Sequence, residues 1–400
     1  MAKAPKPRTA TNNMVDDITK AVDDVIGPAP DSLRPAYHLS TGITTFDLAL
    51  SNGLGLPGGK LIEIYGPEQT GKSALAMQII KQAQMRGGMG IWLDSEQSFD
   101  ESLAVDVIGM DTSNRFYLRD VYLAEQTLKA IEMVALRAVD SAYPMVIVLD
   151  TIAGLTPESV SMDKEDIEGG TRSVASLARC LSWFVSRGLL PKLRGSNVYL
   201  VFLNQVRSLI GSYGYGMPTE TTPGGKAIKF MANQRVSLGT ITKDKDDREK
   251  KEGKSPFMAV ILKASMVKNR CCTPFRSASI PLYFRKDKPY IGFDDNMSNL
   301  VFLLQRKLIT HGGAYKTLAG YRTMGVEGLW EKMNEDPGYA AHVRQIVIDR
   351  FLWEYGETVE QPIPSDYIVT QQPEAKSEDE ADEPEGDVKK KSSKKKKTQE

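Results

Sequence analysis

The chain has 400 residues, of which 41% are hydrophobic and 26% charged, enough apolar side chains for two or three folded units of ordinary size. Its 51 basic and 51 acidic residues balance, which excludes a global basic field and confines any nucleic-acid surface to a local stripe. Three cysteines (Cys180, Cys271, Cys272) offer neither a disulfide framework nor zinc-ligand spacing, the histidines are scattered, the N-terminus lacks the apolar core of a secretory signal, and no apolar run reaches the ~18–20 residues of a membrane span; a soluble, cytoplasmic protein without membrane partners is expected.

In chain order, residues 1–14 carry no apolar period and are expected to be disordered. Val15, Ile18, Val22, Val25 and Ile26 then recur at helical spacing before Gly27-Pro28, which predicts a short amphipathic helix. Its apolar stripe must be covered by its own domain or by a neighbouring chain. From 37 to 283, short apolar runs (61–65, 90–93, 145–149, 198–203) alternate with amphipathic segments (73–86, 124–138, 172–187). This rhythm predicts an α/β fold with a mainly parallel sheet covered by helices. The charged stretch 242–256 reads as an exposed hairpin loop. Residues 288–356 read as a small α/β module with helices at 300–308 and 340–355. Beyond Pro364 core-forming residues run out: 374–387 is strongly acidic, and lysines follow at 389–391 and 394–397. Such blocks of like charge do not fold.

The segment GPEQTGKS (Gly66, Pro67, Glu68, Gln69, Thr70, Gly71, Lys72, Ser73) fits G-x-x-x-x-G-K-S/T. It follows a strand-like run and opens a helical one, the context this phosphate-binding loop requires. Glycines there let backbone N–H groups surround a phosphate, and the helix N-terminus adds partial positive charge. Lys72 is expected to reach the β- and γ-phosphates of a nucleoside triphosphate, and Ser73 to ligate Mg²⁺. Asp150 closes the apolar run PMVIVLD and fits the acid that holds the metal through water, although an aspartate there also suits a helix cap. Glu96, just past GIWLD, is placed to orient an attacking water, or is simply a solvated loop residue.

Taken together, 38–73, WLDSEQSFD (92–100), VIVLDTIAGLTP (146–157), VFLNQVR (201–207), TTPGGKAIKF (221–230) and VKNRCCTPF (267–275) resemble the ATPase core of bacterial RecA recombinases, with a weaker likeness over 288–355. The resemblance implies four parts: an N-terminal arm and oligomerisation helix (1–36), a RecA-like ATPase core (37–287), a small C-terminal α/β domain (288–360) and a disordered tail (361–400). It implies ATP and Mg²⁺ as cofactors. Its partners would be single-stranded DNA, homologous double-stranded DNA and further copies of the chain in a head-to-tail helical polymer, with recombination mediators or repressors as further candidates. It implies Glu96 as the water-activating base, Gln205 as the γ-phosphate sensor, and Lys268 and Arg270 as cations that reach the neighbouring subunit's ATP site. Lys229 and Phe230 match an interface pair, and Asp100 and Leu103 fall at the nucleotide. Two departures stand out. The family usually has lysine at the position of Arg270, and often a base-stacking tyrosine at that of Leu103. The family's first DNA loop falls between 157 and 179; here it is longer and acidic before Arg172.

The segment 211–225 can also be read directly. Gly211, Ser212, Tyr213, Tyr215, Gly224 and Gly225 follow Arg207 and Ile210. Mobile backbone, aromatic faces and a flanking cation suit single-stranded DNA, whose bases stack on aromatics for about 1–3 kcal/mol each. An exposed hairpin turn whose tyrosines cap the core has the same composition; the position after Gln205 favours DNA. Arg179 and Arg187 are candidates for phosphate contacts or for surface ion pairs, and Arg306 and Lys307 mark a basic spot in the C-terminal module. The terminal lysines suit DNA, a partner, the acidic stretch itself, or solubility.

Overall fold

A computed structural model describes residues 9–26, 35–161, 170–208, 220–245, 257–284 and 289–357. Helix α1 (Thr9–Ile26) leads in and begins upstream of the predicted start, within the segment expected to be disordered. Extending an existing helix fixes one residue per added hydrogen bond, so the apolar stripe at 15–26 propagates into polar sequence. Ile18, Val22 and Val25 on it are exposed.

The body follows as β1 (His38–Leu39), α2 (Thr44–Ser51), β2 (Leu56–Pro57), β3 (Lys60–Gly66), α3 (Lys72–Met85), β4 (Met89–Asp94), β5 (Phe116–Asp120), α4 (Ala124–Arg137) and β6 (Met145–Asp150). Next come α5 (Glu158–Ser161), α6 (Gly170–Ser186), α7 (Leu189–Lys192), β7 (Val198–Gln205), β8 (Arg207–Ser208), β9 (Glu220–Thr221) and α8 (Gly225–Met231). The long strands β10 (Gln234–Lys245) and β11 (Phe257–Asn269) precede β12 (Ser277–Tyr283). The C-terminal module comprises α9 (Asp295–Gln305), β13 (Thr310–Gly312), β14 (Tyr315–Leu318), β15 (Tyr321–Met324), α10 (Glu327–Glu335) and α11 (Pro337–Glu354).

Eight strands form one sheet in the order β12-β11-β10-β3-β7-β6-β4-β5. From β10 to β5 every pairing is parallel, and β10-β11-β12 is antiparallel. This is the α/β architecture the alternating pattern predicts. Parallel strands need both faces covered, and alternate residues supply the two layers. On β6, Val146 and Val148 enter one cluster with Ile80 and Trp92, while Ile147 and Leu149 enter the other with Leu128 and Phe184. The first cluster continues without a break into the C-terminal module through Leu300, Val343 and Phe351. Strand β10 runs to Lys245, so 242–245 is paired strand rather than loop; the register Lys245↔Phe257 extends the β-ladder past the sequence signal. Residues 246–256, like the tail from 358 on, lie outside the described residues. Among the described residues no helix is long and apolar enough to cross a membrane.

Candidate active site

The parallel strands end at one edge of the sheet, and the chemistry-bearing residues stand there. Gly66 ends β3 level with Gln205 at the end of β7, and Asp94 on β4 is level with Asp150 on β6. Ligands of open α/β sheets bind outside such carboxyl ends.

The phosphate loop joins β3 to α3. Gly71 occupies the cap position before α3 in the left-handed region (φ 76°), and a Cβ there would lie 2.7 Å from Leu262 Cδ1. A Cβ on Gly66 would lie 2.2 Å from the Leu238 carbonyl oxygen. Gly66 therefore demands glycine because a Cβ would meet backbone, and Gly71 because its conformation is left-handed. Thr70 Oγ1 donates to the Pro67 carbonyl (2.8 Å), closing the loop on itself, while Pro67, Glu68 and Gln69 face outward. Lys72 Nζ donates to the Gly66 and Pro67 carbonyls (3.2 and 2.7 Å), so its ammonium lies within the loop. Burial holds Lys72 below its usual range, against the pull of Asp150, Glu96 and Glu68.

Ser73 Oγ donates to Asp150 Oδ2 (2.9 Å). Burial pushes the Asp150 carboxyl up to about 6; repulsion from Asp94 and Glu96 adds to this, and the Ser73 hydrogen bond and Lys72 oppose it. Glu96 projects from the turn after β4. Thr151 Oγ1 donates to its Oε1 (2.9 Å), and Gln205 Nε2 donates to Oε1 and Oε2 (2.9 and 3.2 Å). Lys72, Ser73, Asp150, Glu96 and Gln205 thus lie along one connected edge.

Sequence reasoning missed the groups that set this turn. Buried Asp94 accepts from the backbone N–H groups of Glu96, Ser98 and Phe99 (3.0, 2.8 and 2.9 Å) and folds 94–99 around its carboxylate. Ser95 Oγ donates to the Thr151 carbonyl (2.8 Å) and accepts from the Thr151 N–H (2.9 Å), tying that turn to β6. The available signal was an apolar run that ends on aspartate before polar residues, a side chain that hydrogen-bonds its own turn.

Past this turn, Asp100 Oδ1 accepts from the Leu103 N–H (2.9 Å) at the start of a π-helical segment, Leu103–Ile108. Leu103 is half-buried against the main cluster.

Lys268 and Arg270 sit elsewhere. Lys268 pairs with Arg235 on β10, which pairs with Glu63 in mid-β3. Glu63 stands three residue steps before Gly66, about 10 Å along a strand. Exposed Arg270 lies farther still toward the opposite edge of the sheet. Lys268 Nζ donates to the Lys229 and Phe230 carbonyls (2.8 and 2.9 Å), and Phe230 is 67% exposed. These four residues form one surface away from their own chain's phosphate loop.

Ile210, Gly211, Ser212, Tyr213 and Tyr215 lie outside the described residues. The segment holding them is closed at its base: Arg207 and Ser208 pair with Thr221 and Glu220. Gly224 and Gly225 return the chain to α8 with positive φ (91° and 67°). Arg172 and Arg179 lie on α6, where Arg179 is exposed. Two other basic candidates are engaged within the protein. Arg187 pairs with Glu132 (2.7 Å) and stacks over Trp183, and Arg306 forms a two-pronged pair with Glu354 (2.7 and 2.8 Å) over the Phe302 ring.

The family model for the RecA N-terminal domain matches residues 31–287. Protein RecA of Nautilia profundicola is 34% identical over 332 residues, covering 82% of this chain and 87% of its own. Protein RecA of Thermus thermophilus is 34% identical over 316 residues, 78% of this chain and 85% of its own. The mitochondrial DNA repair protein recA homolog 3 of Arabidopsis thaliana is 35% identical over 309 residues, 76% of this chain and 66% of its own. With the sheet order, the phosphate loop and these matches in agreement, the chain belongs to the RecA family.

Proposed function

We propose that this protein is an ATP-dependent homologous recombinase. It assembles head-to-tail into a helical filament on single-stranded DNA, pairs that strand with a homologous duplex and exchanges strands; DNA-dependent hydrolysis of ATP to ADP and phosphate is the release step. The observation that carries this reading is the convergence of Lys72, Ser73, Asp150, Glu96 and Gln205 on one sheet edge.

The loop 66–73 binds the triphosphate through its backbone N–H groups and the N-terminus of α3. Lys72 exchanges its two carbonyl partners for phosphate oxygens, a better match for a buried ammonium. Ser73 and Asp150 fit a magnesium ion: a carboxylate crowded by Asp94 and Glu96 is stabilised by a cation beside it. That ion, when bound, neutralises charge on the phosphates. Glu96 accepts the proton of the attacking water. Its carboxylate is engaged by Gln205 and Thr151. Gln205, turning toward a γ-phosphate, leaves Glu96 held by Thr151 alone and pulls on the strand that leads to Arg207 and the segment 209–219. Tyr213 and Tyr215 there stack on bases, with Arg207, Arg172 and Arg179 near the phosphates. Asp100 and Leu103 flank the nucleotide.

Lys268 and Arg270 complete the site of the next subunit, with Lys229 and Phe230 at the same seam. Their place away from their own phosphate loop supports action in trans. The exposed stripe of α1 supports docking on a neighbouring copy, and such a contact repeats head to tail. Negative-stain images with a non-hydrolysable ATP analogue and single-stranded DNA test the assembly: open filaments are expected, and closed rings alone would indicate a hexameric motor instead.

A further inference from the structure

Glu63 is a carboxylate with no exposed surface in the middle of a parallel strand, and nothing in the nucleotide chemistry uses it. A buried ion pair is not needed for stability, since well-packed apolar side chains serve as well or better. Its two oxygens face different elements. Oε1 accepts from Asn204 Nδ2 on β7 (2.9 Å), and Oε2 accepts from Arg235 Nε on β10 (2.5 Å).

Each partner leads to a functional surface. Asn204 immediately precedes Gln205, and its Oδ1 accepts from the Gln205 N–H (3.0 Å). Asn204 Nδ2 also donates to the Pro223 carbonyl (3.0 Å), where the chain returns from 209–219. On the other side, the Arg235 guanidinium lies over the Tyr65 ring (4.6 Å) and is paired across the β-ladder with Lys268. Lys268 holds the carbonyls of Lys229 and Phe230. Charge follows the same line. Burial, then repulsion from Arg270 and Arg235, holds Lys268 below its usual range, and Glu63 acts against that shift.

We propose that Glu63 is a positioning residue that joins the Asn204–Gln205 strand end and the returning chain at Pro223 to the seam surface of Lys268, Lys229 and Phe230 through Arg235. A displacement of Gln205 moves Asn204, and the shared carboxylate transmits it to Arg235 and the seam. The links are side-chain hydrogen bonds from Asn204 to Arg235 and strand pairing from Arg235 to Lys268; measured coupling is the criterion for accepting such a path. The inference rests on the recombinase reading above.

The test is the ratio of single-stranded DNA affinity of the full chain with a non-hydrolysable ATP analogue to that with ADP. Glu63→Gln keeps the side-chain shape but withdraws the charge that holds Arg235. It is expected to unfold at a lower temperature, because Arg235 loses its buried counter-charge, yet as a folded protein to bind ATP as the parent does and to lower the affinity ratio at least tenfold. Arg235→Lys, which keeps the charge but loses the planar fork, is expected to lower the ratio in the same direction. A folded Glu63→Gln protein whose ratio stays within twofold of the parent overturns the proposal. If Glu63→Gln does not fold, Arg235→Lys decides by the same criterion, and failure of both to fold assigns the pair a structural role only and also overturns it. A parent chain with no nucleotide-dependent DNA affinity sinks the recombinase reading itself, a result distinguishable from the others.

Discussion

Asp150→Asn should make the nucleotide- and metal-free protein more stable while abolishing its chemistry. Asp150 is 3% exposed, and burial foremost, with repulsion from Asp94 and Glu96, lifts its carboxyl from the ordinary 3.8 to about 6. That rise corresponds to a penalty of about 3 kcal/mol on the charged form. The direction with pH follows from proton counts. Between about pH 4 and 6 the native state holds a proton that the unfolded chain has released, so native stability falls as pH rises through that window. Above about pH 6 the penalty is complete and constant. Asparagine carries no such charge and can still accept from Ser73. Urea unfolding of parent and variant from pH 4 to 8, in chelator and without nucleotide, should show the variant's advantage opening between pH 4 and 6 to about 3 kcal/mol and then levelling. DNA-stimulated ATPase should be lost. An advantage independent of pH, or a variant less stable at every pH, would refute the account of Asp150 as a carboxylate whose charge is disfavoured by burial and by Asp94 and Glu96.

Three other outcomes follow from the same geometry. Glu96→Ala should bind ATP normally, measured with a fluorescent analogue, while turnover falls about 10²–10⁴-fold, the usual contribution of a positioned base; loss of nucleotide binding instead would contradict its role. Gly71→Ala forces a left-handed residue and sets a methyl 2.7 Å from Leu262, which should cost about 1–3 kcal/mol in denaturant unfolding and weaken ATP binding; an unperturbed variant would show that the loop tolerates a Cβ. Lys72→Ala and Arg270→Ala should each be inactive alone, yet recover part of the DNA-dependent ATPase when mixed, because a seam can then pair an intact loop with an intact cation; no recovery would place both groups in one chain's site.

What the sequence discloses is what depends on neighbours along the chain. The glycines and Lys72 of 66–73, and the strands that deliver Asp150 and Gln205, follow from periodicity and local turn demands. The extent of β10 does not, because Thr242 and the charged residues 243–245 pair only through a partner strand that the pattern does not name. Arg306 looks like a free cation until Glu354 arrives from another helix to take both of its prongs. Asn204, Glu63 and Arg235 come from three strands far apart in sequence, so no spacing rule connects them. The same holds for Thr44, whose N–H and hydroxyl are held by Asp295 across the boundary to the C-terminal module (2.7 and 2.9 Å).

The central claim is that ATP binding at this sheet edge is used for recombination rather than for movement along DNA. Strand exchange between single-stranded DNA and labelled duplex, run in parallel with homologous and heterologous duplexes, tests it most directly. The account predicts ATP-dependent transfer of the labelled strand with the homologous duplex only, abolished by Lys72→Ala. Transfer that ignores homology, or DNA-dependent ATPase with no strand exchange under any nucleotide, would contradict it.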